Sequence, residues 1–236
     1  MIMGKKKFLS QIHKGLVVSC QALEGEPLNG SDVMAKMAQA AKEGGAKAIR
    51  CNSPEDCQAI KKKTGLPVIA IIKSDYPASE VYITPTIKEV KELLEVEPEV
   101  IALDATKRIR PNQEKLVDLI NYIHGNSDAL VMGDIATLED ASYAFECGVD
   151  ILSSTLSGYT KDTEEKSGPD FELVEQLCKL YSIPVIAEGK IQTPEQAYRM
   201  LELGAWSIVV GGAITRPQLI TKTFVDGIDR KDARFD

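Results

Sequence analysis

The sequence is short of the side chains that most often announce a metal or redox site. Its 236 residues include two histidines, His13 and His124, one tryptophan and five cysteines, and aromatic residues make up only 6%. Cys20, Cys51, Cys57, Cys147 and Cys178 are odd in number and nowhere spaced as CxxC. That pattern argues against a disulfide framework and a zinc site, and it suits a reducing compartment. Positive charge is also scarce: 28 Lys and Arg stand against 35 Asp and Glu, for a net charge of -7. A chain of that sign repels polyanions and anionic surfaces, so no nucleic acid and no membrane is expected as a partner. A small phosphorylated ligand is compatible with it, because a few local donors outweigh the mean charge within a Debye length. Long apolar runs are missing as well. The three lysines of the first 11 residues precede no stretch long enough for a signal peptide, and the apolar run at 66–72 falls far short of the roughly 20 residues a membrane helix needs. A cytoplasmic location is expected.

What the chain does have is rhythm. Short runs rich in Val and Ile recur at 15–19, 46–51, 67–73, 100–105, 129–134, 149–153, 184–189 and 206–211. Helical periodicity follows each run. The helix starts are legible at Ser31, Ser53, Thr86, Asn112, Thr137, Asp170, Thr193 and Pro217, as capping residues or a proline in the first turn. Glycines at 44–45, 65, 125, 148 and 204 mark the helix ends. Runs apolar on both faces, such as Val68 to Ile72, require a parallel sheet covered by helices. No GxGxxG follows the first run and the two halves are alike, which favours a closed (β/α)8 barrel over an open doubly wound sheet. With 44% hydrophobic content the whole chain, 1–236, reads as one TIM-barrel domain, and the charged tail 229–236 is expected to fray.

A barrel of this kind carries its chemistry at the carboxyl ends of the strands. The polar residues there are Ser19, Gln21, Arg50, Asn52, Lys73, Asp104, Asp134, Ser154, Thr155, Glu188 and Lys190. Lys73 follows a run of apolar residues, so burial should lower its pKa and let it act as a base toward carbon or as a carbonyl nucleophile. A salt bridge to Asp75, Asp104 or Glu188 is the bland alternative. Glu188, where 184–187 give way to Gly189, is an acid, a base, a substrate anchor or the ion-pair partner of Lys73. Asp134 is a candidate for binding a sugar hydroxyl. Gly211 and Gly212, followed by Arg216 at a helix start, suit a phosphate dianion, with Gly189 and Lys190 as the other half of that cradle. Neither histidine stands at a strand tip, so no metal is expected; Cys20 and Cys51, even if they face the pocket, read as small apolar fillers.

Taken in order, the segments 15–22, 49–52, 71–76, 104–108, 153–159, 187–191 and 211–217 resemble the N-acylglucosamine-6-phosphate 2-epimerase family of bacterial sialic acid breakdown, also called N-acetylmannosamine-6-phosphate 2-epimerases. The resemblance covers nearly the whole chain. It implies a TIM barrel that interconverts N-acetylmannosamine 6-phosphate and N-acetylglucosamine 6-phosphate by deprotonation and reprotonation at C2, with no cofactor. It further implies Lys73 as acid/base with Glu188 as its partner. Gln21 and Arg50 would lie on the N-acyl group or the enolate oxygen, Asp134 and Thr155 on the sugar chain, and Arg216 with the amides near Gly189, Gly211 and Gly212 on the phosphate. A Schiff-base aldolase and a silent sugar-phosphate sensor on the same fold are the rivals. A homodimer is the working expectation for assembly.

Overall fold

The computed structural model describes residues 2–164 and 166–232. After helix α1 (Ile2–Ile12) come β1 (Leu16–Cys20), α2 (Ser31–Glu43), β2 (Ala48–Asn52), α3 (Pro54–Thr64), β3 (Val68–Ile71), α4 (Ile87–Leu94) and β4 (Val100–Asp104). The second half runs α5 (Leu116–Asn126), β5 (Leu130–Asp134), α6 (Leu138–Cys147), β6 (Ile151–Ser153), α7 (Phe171–Leu180), β7 (Val185–Glu188), α8 (Pro194–Glu202), β8 (Ser207–Val210), α9 (Gly212–Thr215) and α10 (Pro217–Asp232). The eight strands are parallel and close in sequence order, with β8 back against β1, which makes a (β/α)8 barrel. Every expected strand is present, with no end shifted by more than two residues.

Strand periodicity decides what points where. Ile49 and Cys51 pack outward with the helices, while Ala48 and Arg50 point inward; Val131 faces out, while Leu130, Met132 and Asp134 face in. The barrel interior is filled from below by Val17, Ala48, Ile69, Val100, Leu130 and Ile186. Two or four residues further along five of these strands the inward side chains turn polar, at Ser19, Arg50, Asp104, Asp134 and Glu188. A dry base and a polar mouth therefore follow from one alternation carried along eight strands.

The capping signals at Ser53, Thr86, Thr137, Asp170 and Thr193 are realised, three of them as reciprocal capping boxes. Others differ. Ser31 is the first helical residue after Gly30, and its hydroxyl donates to Asp56 at 2.7 Å. Asn112 sits in a tight turn at φ 56°, a conformation asparagine tolerates, and α5 starts four residues later. Gly125 lies inside α5. Cys20 and Cys51 belong to the outer layer beneath the helices, away from the mouth, and Cys51 Sγ lies 2.6 Å from Cys57 Sγ. The helix α1 was not foreseen, because exposed Lys6 and Lys7 obscure the apolar pair Phe8 and Ile12, one turn apart, that seals the base of the barrel. Of the charged tail, 229–232 continue α10, and 233–236 lie outside the described residues. Among the described residues no helix is long and apolar enough to cross a membrane.

Between β3 and β4 the ladder is short, pairing only Ile69 with Val100 and Ala70 with Ile101. Above it the strands splay, and residues 82–84 wedge between them. On one side Ser74 N donates to Tyr82 O at 3.0 Å and Thr84 N to Ile72 O at 2.7 Å; on the other, Asp104 N donates to Ile83 O at 3.0 Å. Thr84 holds a left-handed φ of 43° while fully buried, its hydroxyl donating to Ala102 O at 2.7 Å and accepting from Ile72 N at 3.3 Å. A β-branched residue there is strained by about 1–3 kcal/mol. The wedge fixes the backbone that carries Lys73, which pairs across it with Ile83.

Candidate active site

The mouth of the barrel holds a cavity of about 250 Å³ bordered by Gln21, Arg50, Lys73, Thr155, Glu188, Gly189, Lys190, Gly211, Gly212 and Arg216. Of the polar residues singled out from sequence, Asn52, Asp104, Asp134 and Ser154 are not on its wall. Asp134 is fully buried below, where its Oδ2 accepts from Arg50 Nη2 at 2.5 Å and its Oδ1 from Arg50 Nη1 at 3.1 Å and from Thr155 Oγ1 at 2.7 Å. The sugar contact expected of it gives way to a different role, as the buried counter-charge of Arg50.

Arg50, 1% exposed, is the hub that the sequence did not reveal. It pairs on one side with Asp134 and on the other donates Nη1 to Glu188 Oε2. Thr155 Oγ1 lies 3.1 Å from the same carboxylate oxygen. From behind, Ser154 Oγ accepts from Glu188 N at 3.1 Å and donates to Glu188 O at 2.9 Å. Glu188 is thus held by Arg50 and not by Lys73. Burial pushes its carboxyl above the usual range, with Arg50 acting against that and Asp134 adding to it.

Lys73 is anchored through its backbone, whose N–H donates to Asn52 Oδ1 at 2.7 Å. Among the described residues its ammonium takes part in no ion pair or hydrogen bond, so the salt bridges to Asp75, Asp104 or Glu188 do not form; Asp104 pairs with Arg108 instead, at 2.5 Å. Burial first, then the charges of Arg50 and Arg216, lower its pKa to about 8, with Glu188 and Glu26 acting in the opposite sense. An appreciable fraction is therefore free amine near neutral pH.

The opposite wall is built from β7, β8 and their loops. Gly211 packs closely on β1, where an added Cβ would stand 3.3 Å from the Ser19 Cβ, and Gly189 turns the chain at φ 109°. Thr215 Oγ1 donates to Ser19 O at 2.8 Å, tying α9 to β1 and leaving the first amides of α9 without partners further back in the helix. Lys190 follows at φ 54°, and its ammonium donates to Lys166 O and lies 5.2 Å from the centre of the Tyr159 ring. Arg216 reaches the same wall, with Nε 3.0 Å from Glu26 Oε1 and Nη2 3.3 Å from Oε2. Glu26 and the cavity-lining Tyr82 are residues that sequence reasoning missed: both sit in loops, where no periodicity flags them. Lys161, in the loop between β6 and α7, forms an exposed ion pair with Glu80 of the β3–α4 loop; residue 165 lies outside the described residues. Both histidines are at the base or flank: His13 packs its ring, tilted by 45°, against Trp206, and His124 pairs with Asp150 at 2.8 Å.

A free amine facing a restrained carboxyl group, with a donor-rich wall across from it, defines a (β/α)8 barrel with an acid–base centre at its mouth. The pattern of the NanE family, described as "Putative N-acetylmannosamine-6-phosphate epimerase", matches residues 34–230. A Clostridioides difficile protein named "Putative N-acetylmannosamine-6-phosphate 2-epimerase" is 56% identical over 94% of this chain and 99% of its own. The solved N-acetylmannosamine-6-phosphate 2-epimerase from Clostridium perfringens superposes with a TM-score of 0.90 at 54% identity, covering 92% of this chain and 95% of that one. The chain belongs to this epimerase family. Thiamine phosphate pyrophosphorylase from Pyrococcus furiosus, at 20% identity, TM-score 0.59 and 88% and 89% coverage, shares the fold alone.

Proposed function

We propose that the protein interconverts N-acetylmannosamine 6-phosphate and N-acetylglucosamine 6-phosphate by removing and returning the proton at C2, as a cytoplasmic step of sialic acid and amino-sugar catabolism. One observation carries the reading beyond kinship: Lys73 is an amine with no counter-ion among the described residues, lowered to about 8, in a cavity shared with a buried carboxyl group. That is what proton abstraction from carbon needs near neutral pH. The C2 hydrogen is acidic only when C1 is a free aldehyde, so the site has to hold the open chain. Lys73 takes the C2 proton; Glu188, kept in place by Arg50 and Thr155, is its partner in proton transfer. Arg50 and Asp134 act by holding that carboxylate and fixing its charge. Gln21 lies against the sugar.

The 6-phosphate fits the wall of Gly189, Gly211, Gly212 and Arg216, where a guanidinium and first-turn amides favour a dianion. Lys190 borders that wall with its ammonium drawn toward Lys166. No metal and no organic cofactor enters the reaction. For assembly we infer a homodimer, supported by α10: Phe224 and Val225, four and three residues before Ile228, are 70% and 47% exposed, and Ile228 is 64% exposed.

Proton NMR of the protein with N-acetylmannosamine 6-phosphate in D2O tests the reaction and its route together. Appearance of N-acetylglucosamine 6-phosphate with deuterium at C2 is expected. A sugar left unchanged, or a product that keeps its C2 hydrogen, would overturn the reading.

A further inference from the structure

The ribbon that carries Lys73 also carries an unused hydrogen-bond donor. Tyr82 lines the cavity and packs against the inner core of the barrel. Its backbone is pinned: its carbonyl accepts from Ser74, the residue after Lys73, and Ile83 beside it is bridged to Lys73 and bonded to β4. Its hydroxyl makes no hydrogen bond among the described residues. Four charged groups face the phenol, Asp134, Asp104, Arg50 and Arg108, but they are already matched. Asp134 is held by Arg50 and Thr155, and Asp104 by Arg108 and Thr106. Burial raises the phenol to about 12, so it stays a neutral donor at any pH the enzyme meets.

Position says which part of a ligand it meets. The wedge stands between β3 and β4, four places around the closed barrel from β7 and β8, whose loops form the phosphate wall. A sugar held by its 6-phosphate on that wall reaches the wedge with its other end, C1 and C2, next to Lys73. Removal of the C2 proton gathers negative charge on the C1 oxygen, which then needs a donor. Arg50 is poorly placed to serve, since its Nη1 is shared among Asp134, Thr155 and Glu188 and its Nε is sealed from solvent. Gln21 joins the cavity next to the phosphate wall, its backbone carbonyl accepting from Arg216 at 3.4 Å.

We infer that Tyr82 is a further catalytic residue, whose hydroxyl donates a hydrogen bond to the C1 oxygen of the open-chain sugar as the enolate forms. This rests on the epimerase reading above. The Tyr82→Phe protein, assayed beside wild type by C2 deuterium uptake and product formation, should lose about 100-fold in kcat, the scale of one oxyanion donor. KM should stay within about twofold, and the pH limb set by Lys73 should not move. A residue that merely packs would leave kcat near wild type. A rise in KM alone, or a displaced pH limb, would equally overturn the assignment, by making Tyr82 a ground-state contact or a proton carrier. Should the phenylalanine variant melt early, 3-fluorotyrosine placed at position 82 keeps the shape and sharpens the donor; it should hold kcat at or above wild type, and a fall would sink the idea. Wild-type protein that leaves the sugar unchanged would remove the epimerase reading and this inference with it, whereas active wild type with an equally active Tyr82→Phe removes this inference alone.

Discussion

At the scale of single residues, the site trades stability for reactivity. Lys73 is ionised in the unfolded chain up to about 10.5 but only up to about 8 when folded, so between those values the unfolded state binds more protons and stability rises with pH. Below about 8 a buried, unpaired ammonium is a standing cost. Lys73→Met is therefore expected to abolish turnover yet melt at least about 2 °C higher than wild type at pH 7, measured by calorimetry. In the wild type, kcat/KM should climb about tenfold per pH unit below 8 and level off above it, as a base that must be neutral requires. Glu26 makes the reverse case. Its carboxylate occupies the edge of Arg216 that a phosphate would use, so Glu26→Gln should lower KM for the sugar phosphate about two- to fivefold, the worth of a partly exposed pair, without lowering kcat. A raised KM would mean that Glu26 positions Arg216 and does not compete for it. Lys73 and Glu188 were legible in the sequence because each ends an apolar strand. Their true neighbours were not: nothing in a one-dimensional pattern pairs Glu188 with Arg50, 138 positions away.

At the scale of elements, the helix caps were readable because they are local, a hydroxyl and a carboxylate or amide three residues apart. The wedge was unreadable because its logic is not local. Residues 82–84 are held by bonds to β3 and β4 on either side, and Thr84 tolerates its left-handed backbone only because its hydroxyl serves both. Thr84→Val keeps the shape but leaves Ile72 N–H without that acceptor. It should cost about 2–3 kcal/mol in urea unfolding, and because Lys73 and Tyr82 ride on the same ribbon, kcat should fall with it. Thr84→Ser, which restores the hydroxyl, should recover most of both. Loss of stability without loss of kcat would show that the ribbon is not what holds the site.

At the scale of the whole molecule, the barrel was legible from eight repeats, and α10 starts at the expected Pro217, but α1 was not legible, because what it covers depends on surfaces far away in sequence. Phe224→Glu places a charge in the exposed stripe of α10 and should yield monomers by light scattering at concentrations where wild type is dimeric. Wild type that is itself monomeric at those concentrations would leave the stripe without that purpose. The far end of the barrel carries a different signature. Trp206, the single tryptophan of the sequence, donates its indole N–H to Leu9 O at 2.8 Å and packs against the tilted ring of His13 at 4.3 Å, below the four residues of β8 that separate it from the mouth by about 13 Å of chain. Nature has thereby given the molecule one optical gauge, mounted at the end where no chemistry happens. Its emission should follow the undocking of α1 during unfolding and stay level while sugar phosphate fills the opposite mouth.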